Sequence, residues 1–269
     1  MPELPEVEVS RQLLLPLVRG RRIERIVHQD PKRYKDTDRA VGQRIHDLRR
    51  RGKFLIFDLD RGHLVVHFGM SGGFRFAPTP HTRAVLELED RRLYFHDPRR
   101  FGYLRWVARP EAVPLLATMG PEPLSEAFTP AYLRRVLAGR RRPIKSALLD
   151  QRLVAGLGNI YSDEALFKAR IHPLTPAGAL GPRRIARLHG AIREVLTRAI
   201  AAGGSTLADK SYLRPDARPG YFQIEHAVYG REGQPCPVCA TPIARVRVAG
   251  RSSYFCPRCQ RAGGRLASK

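Results

Sequence analysis

The amino-acid sequence predicts an α+β chain in three parts: an N-terminal antiparallel β-sandwich or barrel, a helical middle and a small cysteine-stapled tail. Three observations predict it. The first hundred residues hold short apolar or alternating runs broken by tight turns. Beyond a Pro-rich, aperiodic stretch from Pro110 to Pro130, the apolar spacing becomes helical. All four cysteines fall in the tail that begins near Ala227.

Taken in order, a helix is expected over 7–18, with Pro16 as a strain near its end. Phe54-Leu55-Ile56-Phe57-Asp58-Leu59 reads as a strand, Asp60-Arg61-Gly62 as a turn, and His63 to Phe68 as the returning strand. Ala84 to Glu89 and Arg92 to His96 flank a short turn, and Tyr103 to Val107 forms a further strand. Thr129 can cap a helix whose first residue is Pro130 and which Gly139 closes. A helix is also expected from Ile160 to Ala169. Ile185, Leu188, Ile192, Val195, Leu196 and Ala199 share one helical face that ends at Gly203-Gly204. The expected boundaries are 1–115 for the sandwich, 116–130 for a linker, 131–226 for the helical domain and 227–261 for the tail.

Forty-eight Lys and Arg stand against 25 Asp and Glu, a formal net charge of +23. Such a balance points to a polyanionic partner, nucleic acid or an anionic membrane surface. No apolar run approaches the length of a membrane span, which disfavours the membrane. PELPEVEVSRQ has no apolar core of a signal peptide, so a cytoplasmic, nucleoid-associated chain is expected.

The tail carries Cys236-x-x-Cys239 and Cys256-x-x-Cys259 with 16 residues between the pairs. Two such knuckles at that separation match a zinc ribbon, with Ile243 to Val248 and Arg251 to Phe255 as the hairpin between them. Four sulfurs leave no open coordination position, so one structural Zn2+ is expected. Two disulfides are the alternative, and a reducing compartment disfavours them. The ribbon is also strongly basic, which suits a DNA groove or backbone.

At the other end, Pro2 follows the initiator Met, which is normally removed before a small residue. Pro2 would then carry a free secondary amine. An α-amino group titrates near pH 8, far below Lys, so a useful fraction is a nucleophile at neutral pH. Glu3 and Glu6 are candidate acid–base partners, with Glu8 behind them. On residue types alone, a frayed polar terminus is the better explanation of this stretch.

Six stretches, in order, change that balance. Pro2-Glu3-Leu4-Pro5-Glu6-Val7-Glu8, Arg51-Gly52-Lys53, His67-Phe68-Gly69-Met70-Ser71-Gly72, Asp97-Pro98-Arg99-Arg100-Phe101-Gly102, Gly156-Leu157-Gly158-Asn159-Ile160-Tyr161 and Pro219-Gly220-Tyr221-Phe222-Gln223 precede the ribbon. Together they resemble the bacterial formamidopyrimidine-DNA glycosylase family over essentially the whole chain. One departure is Val9, where Thr is usual. His67 reads as a packed histidine.

The resemblance implies an N-terminal β-sandwich with flanking helices, then a helix-two-turn-helix domain and a zinc finger. It implies a monomer that excises oxidised purines, 8-oxoguanine and formamidopyrimidines, from double-stranded DNA and then cleaves the strand by β,δ-elimination. Residue by residue, it makes Pro2 the Schiff-base nucleophile and Glu3 the proton donor. Lys53 and Arg251 serve elimination and phosphate contact. Met70, Arg99 and Phe101 fill the gap left by a flipped base. His81, Arg99, Arg140, Lys145, Asn159 and Arg251 bind the DNA strand, and the segment Ser205 to Gln223 forms a loop over the lesion. A related endonuclease VIII-like activity on oxidised pyrimidines is the alternative. Leu4, where that group usually has Gly, and the Met/Arg/Phe set favour purines. A non-catalytic zinc-ribbon DNA-binding protein is a third reading, against which Pro2, Glu3 and Lys53 stand together.

Overall fold

The computed structural model describes residues 2–208 and 212–261, so residues 209–211 of the expected lesion loop lie outside it. The chain divides into two compact units. One runs to Thr118 and takes back Ala199–Gln223; the other comprises Met119–Arg198 and Ile224 onward.

The first unit opens with helix α1, Leu4–Val18. It starts three residues before the expected position because Pro5, in the first turn, needs no N–H partner there. The chain then forms β1 (Ile23–His28), β2 (Tyr34–Lys35), β3 (Ile45–Arg51), β4 (Phe54–Leu59), β5 (His63–His67), β6 (Gly73–Arg75), β7 (Thr82–Leu88), β8 (Arg91–His96) and β9 (Tyr103–Val107), closed by the short helix α2, Pro114–Thr118. Two sheets result, in the orders β1-β7-β8-β6 and β2-β9-β5-β4-β3. All neighbours are antiparallel except the two-residue pair β2–β9. One core joins both sheets to α1, through Leu14, Val18, Leu55, Phe57, Val66, Phe74, Leu86 and Phe95. The apolar run Phe54–Phe57 of β4 follows from its place between β3 and β5, with α1 also packed on it.

The second unit is helical: α3 (Pro130–Leu137), α4 (Ile144–Leu148), α5 (Asn159–Lys168) and α6 (Pro182–Ala201), followed by the hairpin β10 (Ala244–Val248) and β11 (Arg251–Phe255). Thr129 caps α3 as expected, accepting the Tyr132 N–H at 3.0 Å. The loop 205–223, expected with the helices, groups instead with the sandwich unit. The reason is polar: its backbone bonds to the start of α1 and to β6's exit, where the Phe76 N–H donates to the Pro215 carbonyl at 3.1 Å.

Candidate catalytic and zinc sites

Local chemistry builds the start of α1. Glu3 has the extended backbone of an N-cap, and Glu6 sits three residues on, forming a capping box. The Glu3 N–H donates to Glu6 Oε2 at 2.8 Å. The Ser205 N–H donates to Glu6 Oε1, also at 2.8 Å. One carboxylate therefore fixes both the N-terminal backbone and the returning loop. Pro2, Glu3 and Glu6 are all buried.

The loop's close approach depends on glycine. Gly204 has φ +81°, and a Cβ there would sit 2.9 Å from Glu6 Oε1. At Gly220 a Cβ would meet the Gly204 carbonyl oxygen at 2.3 Å. Tyr212 is buried beside them, its hydroxyl 3.4 Å from the carbonyls of Glu6 and Gly203. Burial, and then the Glu6 charge, push the Tyr212 phenol well above its ordinary value, so it stays a donor. Gly204→Ala is expected to destabilise this unit by about 1–3 kcal/mol through its left-handed backbone and to lower base release. Thermal unfolding and a glycosylase assay check this; unchanged values in both would dismiss the clasp.

Glu8 is not available for proton transfer. Arg11 and Arg50 hold it at 2.7 and 2.9 Å. Burial raises its pKa, but the two guanidiniums outweigh that and leave it below the usual carboxylate range.

Lys53 follows the left-handed Gly52 (φ 56°) at the tight β3–β4 turn and is largely buried. His67 lies near it, packed against Phe54 and stacked on Tyr103 with centroids 4.7 and 5.6 Å away. Burial, then the Lys53 charge, lower His67 to about 4. It is therefore neutral at pH 7, and its Nδ1 accepts the Gly69 N–H at 3.1 Å. The packed histidine expected from the sequence thus also holds the turn that carries Met70.

Met70, Arg99 and Phe101 come from two loops that the fold brings together. A Cβ on Gly69 would lie 2.5 Å from the Phe101 carbonyl carbon. Asp97, fully buried, accepts the Gly102 N–H at 2.7 Å and has Ser71 Oγ 3.5 Å away. Phe101 is 49% exposed, unusual for a Phe, with the Arg99 guanidinium 5.1 Å from its ring. His81 is exposed, and its carbonyl accepts the Asp97 N–H, which joins it to the same loop. The motif Asp97 to Gly102 was legible; the buried role of Asp97 had no local signal.

In the second unit Arg140 is exposed, with its Nε donating to the Val136 carbonyl at 2.6 Å. Asn159 opens α5, and its Nδ2 donates to the Ser252 carbonyl at 3.0 Å, tying the helix to the hairpin beside Arg251. Arg251 itself is exposed. Lys145 is placed differently. It is 0% exposed, and its ammonium donates to Asp163 Oδ1 at 2.6 Å and to the Asn159 carbonyl at 2.7 Å. Its charge is paired inside the domain, beside the residue that opens α5.

The finger is locked to α5 by groups the sequence did not disclose. Asp163 also accepts from Ser253 Oγ at 2.5 Å and from the Tyr254 N–H at 3.0 Å. Glu164, buried, accepts the N–H groups of Ala227, Val228 and Tyr229 at 2.8–3.0 Å. Gln260 bridges the Cys256 N–H and the Ile171 carbonyl.

Cys236, Cys239, Cys256 and Cys259 place their sulfurs within 4.8 Å of one another, and none forms a disulfide. Three of the separations are 3.5, 3.6 and 3.9 Å. A tetrahedron with Zn–S bonds of about 2.3 Å has edges of about 3.8 Å, so the thiolates fit zinc. They bind one structural Zn2+. Chelation is expected to abolish amide-exchange protection across β10–β11 while leaving β3–β5 protected; a hairpin still protected without zinc would argue against the staple.

Comparison with known proteins agrees with this geometry. The formamidopyrimidine-DNA glycosylase N-terminal domain matches residues 1–104, its H2TH domain 119–211, and the zinc finger found in FPG and IleRS 233–262. The formamidopyrimidine-DNA glycosylase of Thermus thermophilus is 58% identical over 98% of this chain and all of its own length. The crystal structure of the MutM (FPG) protein of that organism superposes with a TM-score of 0.93, at 57% identity, over 98% of this chain and 100% of that one. A Lactococcus lactis FPG mutant complexed with Fapy-dG containing DNA gives 0.89 at 37% identity, covering 97% and 100%. The wild-type L. lactis FPG (MutM) complexed with oxidised-pyrimidine containing DNA gives 0.87 at 36%, covering 97% and 100%. The chain belongs to the formamidopyrimidine-DNA glycosylase family, zinc-finger enzymes of DNA repair. Among the described residues, no helix is long and apolar enough to cross a membrane.

Proposed function

We propose that the enzyme is a bifunctional glycosylase and abasic-site lyase that removes oxidised purines from duplex DNA, acting as a monomer in the nucleoid-associated cytoplasm. One observation carries this reading: the buried Pro2-Glu3-Glu6 cluster, clasped from the loop by Ser205. Such burial is wasted on a frayed terminus.

After Met1 is removed, the Pro2 nitrogen attacks the deoxyribose carbon bearing the damaged base. Glu3 donates a proton as the sugar ring opens, and the base leaves with the glycosidic electron pair. The resulting iminium withdraws electrons, so loss of the adjacent proton expels the 3′-phosphate. A second elimination expels the 5′-phosphate, and water releases Pro2. Glu6 orients Glu3 through its backbone. Lys53 and Arg251 serve the eliminations and hold phosphates. Met70, Arg99 and Phe101 occupy the space of the flipped nucleotide, with Arg99 facing the orphaned base. His81, Arg140 and Asn159 contact the strand backbone; Lys145 acts through Asn159 and α5.

Oxidised pyrimidines are a second reading, favoured by the solved complex of the L. lactis relative with such DNA. Borohydride trapping on a lesion panel decides. A covalent adduct that forms fastest with 8-oxoguanine or formamidopyrimidine duplex is expected. Faster trapping with thymine glycol would favour the second reading, and no adduct with any lesion would remove the lyase assignment.

A further inference from the structure

The second unit carries a basic pocket that the proposed chemistry does not use. It is open to solvent, has a volume of about 770 Å³, and is lined by Arg170, Arg184, Val238, Arg258, Arg261 and the outer edge of the cysteine site. Some arginines of this unit find carboxylates: Arg142 and Arg152 share Asp150, Arg198 takes Glu225 and Arg245 takes Glu232. Among the described residues, no carboxylate pairs with any of the four pocket arginines. A zinc ion with four thiolates carries a charge of −2, which offsets only half of theirs.

Arg170 adds an independent sign. Helix α5 ends in a Schellman turn: the Arg170 N–H donates to the Phe167 carbonyl and the Ile171 N–H to that of Leu166, each at 2.9 Å. Arg170 is the left-handed residue of that turn, with φ 53°. Gly is the unstrained choice there. Its side chain lines the pocket, so the strained turn carries a charge there. Beside it Val238 is 61% exposed, an apolar contact at the pocket's edge.

We propose that this pocket docks an acidic protein segment, with carboxylates on the arginines and a small apolar side chain on Val238. Position disfavours DNA. The pocket lies at the C-terminal end of α5, where Gln260 meets Ile171, whereas Asn159 and Ser252 mark the opposite end. Ten residues of helix separate them, about 15 Å at 1.5 Å per residue. The five-residue strands of the hairpin span a similar length. Arg251 and Asn159 are the proposed strand contacts, so this argument from position rests on that reading. A partner held here leaves the DNA-facing end clear.

The test uses the zinc-loaded full chain and a fluorescein-labelled peptide with Asp and Glu on both sides of a single Leu. Anisotropy is expected to report binding that weakens with salt. Arg170→Gly and Arg184→Ala should each reduce affinity about tenfold. Arg109→Ala, an exposed charge in the other unit, should not. Zinc content and affinity for lesion duplex should stay unchanged in all three variants. Arg170→Gly relieves the strained backbone, so loss of fold will not mimic loss of binding. Equal weakening by Arg109→Ala would overturn the proposal, as would zinc loss from the pocket variants. So would displacement of the peptide by unlabelled duplex, which would assign the pocket to DNA. None of these outcomes depends on borohydride trapping, so the pocket and the catalytic reading fail separately.

Discussion

Enzyme that retains Met1 is expected to bind lesion duplex and yield no borohydride-trapped adduct. In the peptide bond to Met1, the Pro2 nitrogen is a tertiary amide. Its lone pair is delocalised into the carbonyl, and it cannot add to a sugar carbon. Loss of a covalent nucleophile typically costs on the order of 10³-fold or more. No side chain in the described cluster can replace it, because Glu3 and Glu6 are acids and Glu8 is held by Arg11 and Arg50. Pro2→Gly separates chemistry from folding. It still loses Met1 and presents a primary amine, so slow but detectable trapping should persist. The measurement is adduct yield on gels beside duplex affinity by anisotropy. Full trapping with Met1 in place would move the nucleophile elsewhere, with Lys53 the first residue to examine.

The sequence displayed what is local. The paired CxxC knuckles, the Thr129 cap and the strand–turn–strand of β4 and β5 are each written within a few residues. So is the Glu3-x-x-Glu6 spacing, although its capping role was hidden behind its acid–base chemistry. Strands β1 and β3 escaped because Arg and Glu fill their outward positions, as in IERIVH and IHDLRRR, and dilute the apolar alternation. The polar locks escaped for another reason. Glu6 meets Ser205 across 199 residues, and Asp163 meets Ser253 across 90. Nothing near Asp163 in the chain announces Ser253. Lys145 shows the converse. The family resemblance sets it against the DNA strand, and only tertiary burial reveals a carboxylate waiting for it.

That buried pair supports the second large effect. Lys145→Met is expected to destabilise the helical unit by about 3–5 kcal/mol. The lost attraction is only part of the cause. Removing the ammonium leaves the Asp163 carboxylate with 0% side-chain exposure, and an uncompensated charge in that setting is costly. Adding Asp163→Asn should recover much of the loss. The amide carries no charge, and its oxygen can still accept from Ser253 or the Tyr254 N–H. If the pair mattered only as an attraction, the double variant would be no more stable than the single one. Because Asp163 also grips β11, the single variant should lose amide-exchange protection at Ser253 and Tyr254 before the rest of the unit unfolds. Denaturant unfolding of the three proteins gives the energies. Exchange at β11 locates the damage, and a single variant as stable as wild type would show that the lysine is not holding the finger.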